Sequence, residues 1–364
     1  MKCTVSKEAV NAGLQRVLPV VPARSTIPVL SNLLFTAEEG RLCLSATDLD
    51  LSVRATVKAD VKKAGASTLP ARRVAGILRE LPGPDVEMNS GERDSVEIRS
   101  ASSFFRLHGI SQEDFPPLPS FEGGSSFTVD ARLIKTMLQR IGYAASNDET
   151  REVLNGALLS FRDQKLTVVA TDGRRLALVE QELEFSKESE TDLVLPSKTI
   201  AELIRALEDE GPARIHVTAN QVAFETESLT MISKRIEGTY PNYRQVIPAQ
   251  SESRIVMDRE ALFNAVRRVA LLTNEQSNSV KLKFGKTELD ISASTPDVGE
   301  ASEQMAIKNT GPELSASFNP EYLLDPLKNL VCDEVYLELT DDVSPGVLKT
   351  EEPFLYVLMP MRMS

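Results

Sequence analysis

The sequence predicts an α+β chain built from three tandem copies of one unit, each with two helices on antiparallel sheets. Three observations predict this. A short turn after an alternating strand recurs as Ala46-Thr47-Asp48-Leu49, Ala170-Thr171-Asp172-Gly173 and Ser294-Thr295-Pro296-Asp297, with successive threonines 124 residues apart. The openings Cys3-Thr4-Val5-Ser6, Phe127-Thr128-Val129-Asp130 and Ile255-Val256-Met257-Asp258 each lead into an amphipathic stretch. Leu69-Pro70, Leu195-Pro196 and Phe318-Asn319 precede a second helix, and Phe115-Pro116, Tyr240-Pro241 and Met359-Pro360 lie near each unit's end. Four markers in one order, three times, make a repeat. Its period exceeds the roughly 20–50 residues of a stacked solenoid, so the copies are tandem domains.

Each unit justifies its elements in the same order. A short strand is followed by a helix with apolar residues three and four apart, as in Leu133, Ile134, Met137, Leu138 and Ile141. Strands with period-2 alternation follow, such as Leu166-Thr167-Val168-Val169-Ala170. A second helix is predicted over residues 72–81, 198–207 and 320–330, and further strands, such as 215–219 and 222–226, close the unit. Pro326 falls inside the sixth helix, where an interior proline costs ~3 kcal/mol and is expected to kink or end it. Turn-rich boundaries at 120–126 and 249–253 divide the chain into domains 1–122, 127–249 and 254–364.

Composition restricts the function. At 364 residues the chain has room for two or three cores. No segment approaches the ~20 apolar residues of a membrane span, and the N-terminus runs straight into a strand, which fits a cytoplasmic protein with no membrane partner. Cys3, Cys43 and Cys332 are scattered without disulfide or zinc spacing, so no metal and no cofactor is implied. Tryptophan is absent, which argues against base-stacking platforms. There is no Gly-rich phosphate loop, and the two histidines, His108 and His216, lie in strand-like stretches without a nucleophile beside them. Asp48, Asp50, Asp172 and Asp297 sit about a domain apart, so they read as turn-stabilising residues rather than a metal cluster.

Net charge is −12, which alone predicts repulsion from nucleic acid. Its distribution reverses that expectation. The six predicted helices together carry +6, leaving −18 for everything else, and only the sixth helix is acidic. A basic helical layer on an acidic shell suits helices that face a phosphate backbone.

At four stretches the chain closely resembles the bacterial DNA sliding clamps, the beta subunits of DNA polymerase III. These are Arg24-Ser25-Thr26-Ile27-Pro28-Val29-Leu30 through Thr47-Asp48-Leu49, Leu154-Asn155-Gly156 with Thr171-Asp172-Gly173-Arg174-Arg175-Leu176-Ala177, Glu237-Gly238-Thr239-Tyr240-Pro241-Asn242-Tyr243-Arg244-Gln245-Val246-Ile247-Pro248, and Tyr356-Val357-Leu358-Met359-Pro360-Met361-Arg362. The resemblance implies three DNA-clamp domains and a head-to-tail homodimer forming a six-domain ring. Twelve inner helices ~9 Å apart make a circle roughly 34 Å across, leaving about 24 Å for a duplex roughly 20 Å wide. The implied role is non-catalytic: to encircle duplex DNA without sequence preference and to tether the polymerase III alpha subunit, the clamp loader, and other polymerases and repair proteins. Two other readings compete: an enzyme using residues 171–175 as an anion site, which has no nucleophile or base, and a monomeric adaptor that never binds DNA.

The resemblance also implies where the partners bind. Leu154, Thr171, Gly173, Arg174, Arg175, Leu176, Pro241, Val246, Val357, Met359, Pro360, Met361 and Arg362 would form a pocket for a short disordered peptide carrying glutamine and bulky apolar residues. Its walls would be aliphatic, with Arg175 and Arg362 at the rim. Arg24, Arg72, Arg151 and Lys198 would touch DNA. Phe105 and Leu107 on one chain would meet Leu271 and Leu272 on the other. The sequence departs from the family in places: Arg174 stands where histidine is common, Ser25 replaces a proline, and Gln245 replaces a basic residue. The tail through Ser364 is slightly long, and the acidic cluster near the third-domain interface, residues 297–303, is thin.

Overall fold

The computed structural model describes residues 1–121, 123–148, 150–248, 254–274, 277–296 and 298–361. Of the residues singled out above, Asp297, Arg362 and the predicted boundary at 249–253 lie outside the described set, as does Glu122 in the boundary at 120–126. Six α-helices appear at the expected places: α1 Lys7–Val17, α2 Ala71–Glu80, α3 Ala131–Ile141, α4 Ser197–Ala206, α5 Arg259–Val269 and α6 Pro320–Asn329.

The recurring sequence markers are the starts of these helices. The last residue of each opening caps a helix: Ser6 Oγ accepts from the Ala9 amide at 3.2 Å, Asp130 Oδ1 from Leu133 at 3.0 Å, and Asp258 Oδ1 from Ala261 at 2.7 Å. Each such bond satisfies one of the orphan donors of a first turn and is worth ~1 kcal/mol. Asn319 does the same for α6, accepting from the Glu321 amide at 2.9 Å. The apolar stripes bury as spaced, with Val10, Leu14 and Val17 on α1 and Leu262, Val266 and Val269 on α5.

Pro326 does not end the helix, the second of the two outcomes expected of it. Nor does it leave an orphan: the helix runs on to Asn329, and the Leu330 amide donates to the Pro326 carbonyl at 3.0 Å. A proline at 326 has no amide for the Tyr322 carbonyl one turn earlier. The Tyr356 hydroxyl replaces it, donating to that carbonyl at 2.8 Å.

The strands form a twelve-stranded, a nine-stranded and a four-stranded sheet, all antiparallel in their pairings. The chain divides into two compact units, one of Met1–Lys135 with Lys198–Arg235, the other of Thr136–Ser197 with Ile236–Ser364. This division cuts through the middle repeat. The reason is that repeats join edge to edge: one sheet of the middle repeat continues into the first repeat's strands, and the other into the third's.

Within the first unit, strand Leu51–Lys63, which follows the Thr47 turn, pairs with Leu229–Lys234, the last strand of the second repeat, with Leu229 opposite Ala55 and Ser233 opposite Leu51. Within the second unit, strand Arg175–Glu182, which follows the Thr171 turn, pairs with Phe354–Leu358, the last strand of the third repeat, with Arg175 opposite Leu358. The corresponding third pair is open. Strand Ser103–His108, the last of the first repeat, ends its sheet, and so does Gly299–Ala306, which follows the Thr295 turn. Among the described residues neither edge has a partner strand on its outer side.

Candidate functional site

The site begins with a turn. Asp172 Oδ1 accepts the amides of Arg174 at 2.8 Å and Arg175 at 3.0 Å, while Thr171 Oγ1 accepts from Gly173 at 3.1 Å and donates to the Arg175 carbonyl at 2.6 Å. Gly173 sits at φ +88°, which glycine adopts without steric cost. Asp48 repeats the arrangement, accepting from Asp50 at 3.0 Å and Leu51 at 2.7 Å, with Leu49 at φ +80° in glycine's place. These aspartates are turn caps, as their spacing predicted, and no group of three or more His, Cys, Asp or Glu among the described residues could hold a metal.

Arg175 is not at a rim. Its side chain is 11% exposed and fully committed. The guanidinium donates to Asp172 Oδ2 at 3.1 Å, to Asp325 Oδ2 at 2.5 Å and to the Tyr143 carbonyl at 2.6 Å, and lies 4.6 Å over the Tyr322 ring. Burial alone would lower its pKa, but the Tyr356 hydroxyl and the two carboxylates outweigh that and hold it above the usual value. Arg175 therefore ties the turn to α6, which carries Tyr322 and Asp325. Its exposed neighbour Arg174 has no ion-pair partner among the described residues.

Around the turn an apolar floor assembles from the second repeat, joined by Val357 and Leu355 of the third. Leu158, Val169, Leu176, Leu178, Val194, Tyr240, Tyr243 and Val357 pack in one buried cluster, flanked by half-buried Val153, Leu154 and Ile247. The strand pairing that sets Leu176 opposite Val357 brings these distant stretches together. The Met359 amide then donates to the Arg174 carbonyl at 3.0 Å, and the Met361 amide to the Ser317 carbonyl at 2.7 Å, so residues 359–361 are tied to the turn and to the strand Leu314–Phe318. Close in the chain to the floor's members, Val246, Met359 and Met361 are each exposed by about two-fifths or more. Pro241 is also exposed and Pro360 half-buried. An apolar floor with adaptable, exposed methionines is binding chemistry: it offers desolvation and shape, and no nucleophile.

The other predicted residues are placed as follows. Arg24 and Arg72 are exposed, Arg72 beside Arg73 and Arg79 on the face of α2 opposite Val74 and Leu78. Lys198 is ion-paired to Asp48, whose carboxyl burial would push up; the Lys198 hydrogen bond and the Leu51 and Asp50 amides outweigh that and hold it below its usual pKa. Arg151 lies within 3.6 Å of Asp148 and beside the Gly173 turn. Many helix cations are spoken for: Arg16 by Glu208, Lys135 by Asp209, Arg140 by Glu352 and Arg268 by Glu303. Arg73, Arg79, Arg132 and Arg267 have no ion-pair partner among the described residues. They stand as further candidates that the charge count could not single out.

On the free strand Ser103–His108, Phe105 is 39% exposed and Leu107 half-buried, while Phe104 lies between Arg99 and Arg106 at 4.6 and 5.7 Å. Leu271 is 79% exposed, and Leu272 sits against the start of the free strand Gly299–Ala306, accepting from Thr295 Oγ1 through its carbonyl. Sequence reasoning named Leu271 and Leu272 but missed the strand itself. Its Glu300, Glu303 and alternating small residues carry no strong β pattern.

The three repeats match a known family. Residues 1–119, 128–242 and 244–362 match the N-terminal, central and C-terminal domains of the DNA polymerase III beta subunit. The chain is 36% identical to the beta sliding clamp of Chlamydia pneumoniae, covering 100% of this chain and 99% of that protein. It is 32% identical to that of Escherichia coli (strain K12), covering all of both. The solved sliding clamp of Pseudomonas aeruginosa bound to griselimycin superposes with a TM-score of 0.94 at 31% identity, covering all of both chains. With three clamp domains in order and similarity over its full length, the chain belongs to the DNA polymerase III beta subunit family, the non-catalytic sliding clamps that act as processivity factors in DNA replication.

Proposed function

We propose that two copies of this chain close head to tail into a six-domain ring around duplex DNA, with domains at 1–122, 127–249 and 254–364. The observation that carries it is the open third joint. Two of three equivalent edge pairings are made within the chain. The third leaves one complementary edge in each unit, and an unpaired edge recruits a partner. A second copy supplies both missing strands at once, which closes the ring. Arg106 on one edge and Arg99 on the strand beside it share the single carboxylate of Glu97, leaving a net positive charge that complements Glu300 on the other edge.

Bound by encirclement, DNA needs only weak, screened contacts from Arg24, Arg72, Arg151, Lys198 and their neighbours. The floor around Leu176 and Val357 would take a short apolar peptide from the polymerase alpha subunit, the clamp loader, or other polymerases and repair proteins. The ring would work in the cytoplasm; among the described residues no helix is long and apolar enough to cross a membrane.

Light scattering at micromolar concentration tests the ring: twice the chain's 40.0 kDa is expected. Phe105→Asp should return it to one. A wild-type monomer would leave the adaptor reading instead. Displacement of a fluorescent glutamine- and leucine-containing peptide by griselimycin tests the pocket.

A further inference from the structure

The four-stranded sheet has one apolar face, built from Val280, Leu282, Phe284, Leu289, Ile291 and Phe318, all buried. Its other face carries a row running across every strand. Ser302 lies opposite Ser292, Ser292 opposite Lys281, and Lys281 opposite Ser317. Over this row the surface is concave. One trough of about 570 Å³ is lined by Lys281, Ser292, Ser302, Ser317 and Glu300, among others. A second, of about 380 Å³, shares Lys281 and Ser317 and continues to Asp342, Val343 and Met361. The two thus form one path that ends at the methionine of the candidate peptide site, where the Met361 amide donates to the Ser317 carbonyl at 2.7 Å.

Two features make this path more than a smooth surface. Ser317 lines both troughs, and its hydroxyl makes no hydrogen bond among the described residues, which leaves it open to the trough. An open hydroxyl in the wall of a trough can donate to or accept from a group that enters it. Lys281 lies in the middle of the floor with no ion-pair partner among the described residues, while Glu300 and Asp342 stand toward the two ends. The charge pattern is therefore positive at the centre and negative at the margins. The serine floor has no bulk to hold an extended backbone away, and its hydroxyls can both donate and accept.

We propose that this path extends the peptide site. It takes the residues flanking a partner's apolar motif, in extended form, with a carboxylate on Lys281 and a backbone amide or carbonyl on Ser317. The proposal rests on the peptide-binding reading of the Leu176–Val357 floor. Continuity through Met361 and the Lys281 charge argue for the same peptide rather than a separate ligand. Pairing of the Gly299–Ala306 edge with another copy would use that strand's backbone and leave the side chains on its faces free.

The test is fluorescence anisotropy on the full-length protein with three synthetic probes. The first is a hexapeptide of glutamine, leucine and phenylalanine. The second adds four residues including two aspartates, at either end in separate versions. The third has those aspartates as asparagines. One acidic extension should bind about ten-fold more tightly than the hexapeptide, with the gain reduced at high salt. Lys281→Ala should erase that gain while leaving the hexapeptide's affinity unchanged, and Ser317→Val should reduce it by filling the path. Equal affinities for hexapeptide and both acidic extensions would overturn the proposal and leave the pocket reading intact, with Ser317 satisfied by water alone. An equal gain from the asparagine version that survives Lys281→Ala would overturn the role of Lys281. Failure of the wild type to bind the hexapeptide at all would overturn the pocket reading itself.

Discussion

The bond from the Tyr356 hydroxyl to the Tyr322 carbonyl should be worth more than its single 2.8 Å contact suggests, because Pro326 has removed the only helical alternative. In Tyr356→Phe the ring is kept, since Tyr356 is completely buried, but the carbonyl loses its donor. An unsatisfied buried group costs ~1–3 kcal/mol. The second unit is of a size for which each kcal/mol moves the melting temperature by roughly 2–4 °C, so a ~2 kcal/mol loss predicts a drop of about 4–8 °C. The decisive arm is Pro326→Ala, which restores an amide one turn after Tyr322. In that background Tyr356→Phe should cost at least ~1 kcal/mol less, because the helix now satisfies the carbonyl itself. Thermal melts of the four proteins by circular dichroism read the cycle. If the two changes add within ~0.5 kcal/mol, the hydroxyl is not replacing the missing amide and the reasoning fails.

Other outcomes follow from the same geometry. Arg175→Ala leaves Asp172 and Asp325 facing each other without their cation and should destabilise the second unit by ~3–5 kcal/mol; Arg175→Lys should recover little, since one ammonium cannot serve three acceptors in a fork, and denaturant midpoints decide it. Asp48 has a carboxyl pKa held low in the fold, so its contribution is present above the unfolded value, near neutrality, and is lost as pH falls through the lowered folded value. Melting curves of wild type and Lys198→Ala should therefore differ at pH 7 and converge toward pH 3; a constant gap would show that the pair does not act through Asp48 ionisation. For DNA, Lys198→Ala alone should weaken clamp retention only modestly. A triple Arg72, Arg73 and Arg79 to Ala variant should lower the salt slope of binding by about 1 per lost phosphate contact, and an unchanged slope would remove α2 from the DNA-facing set.

Much of this was legible before any coordinates. The helix starts carried their own signals in Ser6, Asp130 and Asp258, which cap, and the threonine turns carried theirs in Asp48 and Asp172. Local chemistry writes such features into a few consecutive residues. The behaviour of Pro326 was not legible, because its compensation comes from Tyr356, thirty residues later. Arg175 was read as a rim residue for the same reason: both basic side chains in Arg174-Arg175 look alike in sequence, and only Asp325 and Tyr322 on α6 decide which is buried. The strand Gly299–Ala306 was missed because an edge waiting for a partner does not need the apolar alternation of a buried one.

By itself, then, the sequence determined the number of repeats, the order and caps of their helices, the family and the stretches that make the candidate site's apolar floor. Those are set by short-range patterning and by residues close together in the chain. The tertiary structure alone decided which edges are paired and which are left open, which cations are consumed in ion pairs and which remain free, and that Ser317 and Lys281 share a path with Met361. These depend on which atoms meet across sheets, where a contact links positions far apart in the chain and leaves no periodic trace in it.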